Sequence, residues 1–250
     1  MREWFEESFG REYLSLYPHR DDVEARCDVE RIVRLISPPK ERPLLDLGCG
    51  SGRHLIAFRE AGFRDLTGLD LSTALLQEAE ERLRQHSITD VRLIQRDMRD
   101  IPEGDRFFTI VSLFTSFGYF RDRADNLAVL QGACRALLPG GHLLVDTLNR
   151  DQVLQSLRPE ERRCFDGREI AIRRWITPDG LRVEKSTCIR QSASAPTVYR
   201  ESVRLYSESE VRHLMSQAGF GSFRCYGGLD GQPLTPRSPR MVVHARRPSG

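Results

Sequence analysis

The chain reads as an α/β protein: a doubly wound, mostly parallel sheet that ends in a C-terminal antiparallel hairpin and carries a small antiparallel β insert. Three observations lead there. Short apolar runs recur between residues 43 and 149, and the first three end in acids, at Asp46, Asp70 and Asp97. Amphipathic helical patterns separate these runs, which is the rhythm of parallel strands joined by crossover helices. After Val145 the apolar period shortens to the partial two-residue alternation of antiparallel strands.

The elements follow in order. Residues 21–36 form an amphipathic helix with Val23, Cys27, Ile32, Val33 and Ile36 on or near one side, and Ser37-Pro38-Pro39 stops it. Strands are expected at 44–46, 66–70, 91–97 and 107–114, the last opening into Thr115-Ser116-Phe117-Gly118-Tyr119. Helices are expected at 73–86, capped by Ser72, and at 124–138. A Pro139-Gly140-Gly141 turn then leads into a fifth strand. Residues 168–176, 181–190 and 197–206 make a three-stranded antiparallel insert, with Pro178-Asp179-Gly180 turning between the first two. Ser207 and Glu210 are spaced as a capping box, and Gly219 ends the helix they open. Strands at 222–226 and 241–246 close the chain, joined by a Gly/Pro-rich loop that holds Asp230 and Arg240.

The segment Leu44-Leu45-Asp46-Leu47-Gly48-Cys49-Gly50-Ser51-Gly52-Arg53 is the most informative. Glycines at this spacing let the backbone turn sharply and approach a ligand closely, at the positive end of the following helix. The usual dinucleotide fingerprint is G-x-G-x-x-G. Here the glycines run G-x-G-x-G, and Arg53 fills the place of the third. Asp46, just before the turn, suits an ammonium or hydroxyl rather than a phosphate. Asp70 is placed to accept from both hydroxyls of a ribose and to repel a 2′-phosphate. Cys49 is read as a small side chain that fits the bend, and His54 as facing the helix surface or the sheet.

These five motifs, in this order, resemble the class I S-adenosylmethionine (SAM) methyltransferases, whose fold is Rossmann-like. The resemblance implies SAM as cofactor, S-adenosylhomocysteine (SAH) as product, and no metal. It places the glycine loop against the amino-acid end of SAM, Asp97 on the adenine amino group and Met98 on the ring. The implied binding set is Asp46, Gly48, Cys49, Gly50, Gly52, Asp70, Leu71, Asp97, Met98, Leu113 and Phe114, joined by Tyr17 and Arg20. Those last two belong to an N-terminal segment, residues 1–36, that acts as a helical lid in small-molecule members of the family. Tyr13 and Tyr17 sit on one face of it, four residues apart. Residues 37–150 would then be the cofactor-binding core, 151–206 the insert roofing the acceptor site, and 207–250 the completion of the core. An insert there is typical of enzymes acting on small molecules, amine and amino-sugar N-methyltransferases among them. His19, Tyr119 and Asp230 are the candidates for a base acting on an N- or O-nucleophile.

Composition agrees with this reading. The net charge is +2, from 38 basic and 36 acidic side chains, which disfavours nucleic acid as the main partner. No apolar run approaches a membrane span, and the N-terminus lacks a signal-peptide pattern. The six cysteines form no C-x-x-C pair, as in a reduced cytoplasmic protein. No Asn-Pro-Pro-Tyr or Asp-Pro-Pro-Tyr follows the fourth strand, which favours a small-molecule acceptor over nucleic acid or protein. The sequence leaves a homodimer open. Competing readings are a SAM-binding protein without catalysis, an RNA methyltransferase and a nicotinamide oxidoreductase.

Overall fold

The computed structural model describes residues 3–5, 22–102, 106–165, 167–191 and 195–249. Its core is a seven-stranded sheet in the order β10-β11-β5-β4-β1-β2-β3. The strands are β1 (Leu44–Leu47), β2 (Leu66–Asp70), β3 (Val91–Gln95), β4 (Phe107–Ser112), β5 (Leu137–Leu148), β10 (Ser222–Tyr226) and β11 (Arg240–Arg246). β1 to β5 pair in parallel; β11 runs antiparallel to both neighbours, β5 and β10. All four residues of β1 are buried, because helices cover both faces of the sheet here. That double burial explains three leucines in four positions where a one-sided strand would alternate. Each of its leucines contributes about 1.5–3 kcal/mol by leaving water.

The helices are α1 (Asp22–Ile36), α2 (Arg53–Glu60), α3 (Thr73–Gln85), α4 (Arg123–Ala136), α5 (Arg150–Ser156) and α6 (Glu208–Ala218). Two apolar layers result. One joins α1 and α2 through Val29, Ile32, Leu55 and Phe58, and the other joins α4 and α6 through Leu130, Ala133, Leu214 and Met215. The predicted caps form: Ser72 accepts from Leu75 N at 3.2 Å, and Ser207 with Glu210 makes the reciprocal capping box. No described helix is long and apolar enough to cross a membrane.

Three sequence expectations are corrected, and one helix, α5, had no sequence signal. α1 is rotated from the expected phase: Val23 and Cys27 are exposed, and Ala25, Asp28, Val29, Ile32 and Ile36 form the buried face. A buried acid on that face broke the apolar pattern. β5 starts at Leu137, before the Pro-Gly-Gly segment, which bulges out of the ladder as the β4 register moves from Phe107↔Leu137 to Thr109↔His142. The insert has four strands, in the order β6-β7-β8-β9: β6 (Glu160–Phe165), β7 (Arg168–Ile176), β8 (Arg182–Arg190) and β9 (Thr197–Arg204). β6 is a polar edge strand with almost every side chain exposed, so it shows no alternation. α5 buries nothing and has no amphipathic signature.

One side chain ties the insert to the core. The Arg182 guanidinium donates to the carbonyls of Tyr119 and Phe120 at 2.9 Å and of Ser202 at 2.8 Å, while its Nε donates to Ser202 Oγ at 2.7 Å. Arg204 N adds a 2.8 Å bond to Gly118 O. The loop carrying Tyr119 is thereby fixed to β8 and β9. Arg182→Met takes the guanidinium from the Tyr119 and Ser202 carbonyls and leaves Phe120 O with only Asn126 Nδ2, and should destabilise the protein by about 2–4 kcal/mol in urea unfolding, as loss of several charged donors to part-buried acceptors implies. An unchanged midpoint would show that water replaces the guanidinium at no cost.

Candidate active site

A cavity of about 380 Å³ opens at the carboxyl ends of β1, β2 and β4. This is the edge where open parallel sheets hold ligands. Gly48 and Gly50 of the glycine bend line its floor, whereas Gly52, the residue before α2, does not line it. Gly48, Gly50 and Gly52 have φ of 84°, 54° and 75°, a conformation other residues adopt at a cost. Space enforces the choice too: a Cβ at Gly48 would lie 2.8 Å from Ser116 Cβ, and one at Gly52 would lie 3.1 Å from Ala79 Cβ.

Asp70 lies at the end of β2, against this bend. Its carboxylate accepts from Gly50 N at 2.8 Å and from Ser72 N at 2.9 Å. Burial raises its pKa, and these amides counter part of the rise by favouring the charged form. Asp46 has no such support. It is 1% exposed, its Oδ2 has no partner, and burial with repulsion from Asp70 pushes its pKa up to about 7, against a smaller opposing pull from Arg53.

Arg53 opens α2 and also lines the cavity. One guanidinium nitrogen pairs with Glu24 at 2.7 Å, the face lies 4.2 Å from the Phe114 ring centroid, and Nη2 is buried without a partner. Asp46 and Arg53 thus face one cavity with opposite charge, and each has an unsatisfied atom. Such a buried orphan costs about 1–3 kcal/mol. Both orphaned atoms have almost no accessible surface, so a ligand carrying an ammonium and a carboxylate, as the amino-acid end of SAM does, would pair with them only as the side chains around them shift.

His54 corrects its expected placement. It is buried, lines the cavity, and its Nε2 lies 3.4 Å from the buried Asp28 Oδ2. Burial lowers its pKa despite the Asp28 contact. Arg53 and His54 were missed as site residues. A signal existed: Glu24 and Asp28, one helical turn apart, match the adjacent Arg53 and His54.

The other expected residues fall into three groups. Cys49, Leu71, Met98, Leu113 and Phe114 line the cavity, as does Asp97. The Cys49 thiol is held well above its ordinary pKa by burial and by Asp70 and Asp46, and a Cβ at Gly68 would meet its Sγ at 2.8 Å, so its role here is packing. Asp97 is already engaged: Arg99 N and Nε donate to Oδ1 at 2.8 and 3.0 Å, and Arg99 Nη2 donates to Oδ2 at 2.7 Å. Both lone pairs of Oδ1 are taken, and Oδ2 keeps one for a ligand donor. Tyr119 lines the cavity beside Phe5 and Phe120, with its ring centroid 4.9 Å from that of Trp4. Asp230 does not line it: the side chain is exposed in the β10–β11 loop and, among the described residues, accepts from Gln232 N at 3.4 Å. Tyr13, Tyr17, His19 and Arg20 lie outside the described residues.

Strand order, bend and cavity together define an α/β protein whose pocket is lined at the strand ends by Asp46, Asp70 and Asp97. Residues 44–141 match the family model of a methyltransferase domain. The chain is 35% identical over 127 residues to the dTDP-3-amino-3,4,6-trideoxy-alpha-D-glucopyranose N,N-dimethyltransferase of Streptomyces venezuelae, a match spanning 51% of each protein and so only about half of that relative's length. It is 27% identical over 213 residues to the cypemycin N-terminal methyltransferase of a Streptomyces species, spanning 84% of this chain and 85% of the relative. The fold matches that of a SAM-dependent methyltransferase from Clostridium acetobutylicum with a TM-score of 0.80 at 16% identity, over 95% of this chain and 98% of that one.

The Asp46 carboxyl binds its proton more tightly in the folded state than the ordinary carboxyl value of 3.8 allows, so its contribution is most favourable at low pH and is lost as pH rises from about 4 to about 7. Asp46→Asn removes that loss. In urea unfolding without ligand, the variant should gain about 2–4 kcal/mol relative to the wild type between pH 4 and pH 8, levelling off above pH 7. A constant difference across that range would place the Asp46 pKa near its ordinary value.

Proposed function

We propose that this protein is a methyltransferase that uses SAM to methylate a small-molecule acceptor, with an amine nitrogen as the acceptor atom, and releases SAH. The observation that carries it is the pair Asp46 and Arg53, opposite in charge, each short of one partner, on either side of the glycine bend. In this reading Asp46 takes the ammonium, Arg53 the carboxylate, Asp70 the ribose hydroxyls and Asp97 the adenine amino group, with Met98 against the ring. The nitrogen is favoured because the Streptomyces venezuelae relative is named as an amino-sugar N,N-dimethyltransferase.

When bound, the sulfonium of SAM supplies an already activated methyl group. The chain's own task is then to hold the acceptor in line, and orientation of that kind contributes about 7–11 kcal/mol in favourable cases. Phe5, Phe120 and Tyr119 form an apolar wall that excludes water, and the Tyr119 hydroxyl is the described candidate for orienting the acceptor or receiving its proton. We read the insert as the roof of the acceptor site, while α1 packs on α2 and sets Glu24 against Arg53. Six free cysteines suit a reducing compartment, the cytoplasm.

Calorimetry with SAM and SAH tests the reading first. Both should bind. Their affinity should be steady above about pH 7 and fall towards tenfold per pH unit below it, as Asp46 takes up a proton and can no longer pair with an ammonium. Asp70→Asn should weaken binding about tenfold. Incubation with methyl-labelled SAM and a panel of amino sugars and peptide amines should then yield a labelled product and SAH. Folded protein that binds neither compound would overturn the proposal.

A further inference from the structure

Two consecutive non-glycine residues just past the end of β4, Phe114 and Thr115, have φ of 57° and 69°. Side chains in this region are strained, and the conformation persists only where its surroundings over-determine it. Here they do. Asp146, on β5, accepts from Phe114 N through Oδ2 at 3.0 Å and from Thr115 N through its carbonyl at 3.0 Å. Arg240, on β11, donates from Nε to Asp146 Oδ1 at 2.7 Å and from Nη2 to Thr115 Oγ1 at 2.7 Å. The Asp146 side chain is 6% exposed, and it is 94 residues from Arg240 in sequence. Arg240 and Asp146 are thus a fork and a carboxylate with complementary donors and acceptors, closed over a strained bend.

The bend aims one ring. Phe114 lies with its centroid 4.2 Å from the Arg53 guanidinium, 6.0 Å from that of Arg240 and 6.4 Å from the His54 ring. Arg53 is therefore fixed along one edge by Glu24 and over one face by Phe114, which leaves a single direction for its unpartnered Nη2. We propose that the Asp146–Arg240 pair is a positioning latch: it holds the Phe114–Thr115 bend, and through Phe114 it orients Arg53 for the carboxylate of the bound ligand. This rests on the reading of the cavity as a SAM site. Arg240 and Asp146 touch no ligand in this scheme. Their effect falls on the amino-acid end alone, because Asp70 at the nucleoside end is held separately by the amides of Gly50 and Ser72.

The test compares SAH with 5′-methylthioadenosine, which shares the nucleoside and lacks the amino-acid end. Calorimetry on the full chain gives the ratio of the two affinities. Arg240→Met should weaken SAH about tenfold or more and change 5′-methylthioadenosine less than about twofold. Arg240→Lys should not restore the ratio, since a point ammonium cannot serve Asp146 and Thr115 in the guanidinium's geometry. Thr115→Val should shift the ratio in the same direction, and Thr115→Ser, which keeps the hydroxyl, should restore it; this pair decides the matter if the Arg240 variants fail to fold. Equal losses for both ligands, or no loss for either, would overturn the latch. Wild-type protein that does not bind SAH would instead overturn the proposed function, so the two failures are distinguishable.

Discussion

Between Leu47 and Arg53 the backbone passes through three left-handed glycines, and the rest of the site is arranged around that turn. A side chain at Gly48 would collide with Ser116 of the β4 loop, and one at Gly52 with Ala79 of α3, so both neighbours approach only because nothing is there. The turn leaves Asp46 on the strand side and Arg53 at the start of α2, both facing the same cavity. Neither satisfies the other. Arg53 is drawn to Glu24 of α1, and Asp46 keeps an unpartnered oxygen. Against a folding free energy of about 5–15 kcal/mol, two such orphans are a notable cost. In the proposed reading, a zwitterionic ligand that reaches both atoms offsets that cost.

The acids at the strand ends show how neighbours separate chemically identical groups. Asp46 and Asp70 are both buried, and burial raises both. Two backbone amides stabilise the charge on Asp70, whereas Asp46 has none and also feels Asp70. Asp97 is different again, with Arg99 across both oxygens and Arg99 itself braced by Asp125 and stacked on Phe120. One acid is thus poised to change protonation when a cation arrives, one is fixed as an acceptor, and one is held in place by a neighbouring cation.

Much of the fold was legible because it depends on local signals. Apolar runs, Ser72 and Ser207 as caps, Gly219 as a stop and the glycine bend all act within a few residues of themselves. What was hidden depends on distant partners. β6 is polar because its pairing is with β7 and its faces are open, so no periodicity marks it. Asp28 interrupts the apolar stripe of α1 because it is buried against His54, and that hid both residues. Arg53 looked like a departure from a glycine fingerprint, and only the fold reveals Glu24 and Phe114 around it. Asp230 looked close to the site by its place in a loop between the last strands, but the loop carries its side chain into solvent, and the neighbouring Arg240 reaches inward instead.

A crystal structure of the protein with SAH bears on the central claim most directly. The account predicts the ligand's carboxylate within hydrogen-bond distance of Arg53 Nη2, its ammonium against Asp46 Oδ2, and its ribose hydroxyls on Asp70. SAH bound with its amino-acid end turned away, leaving Asp46 and Arg53 without partners, would contradict it.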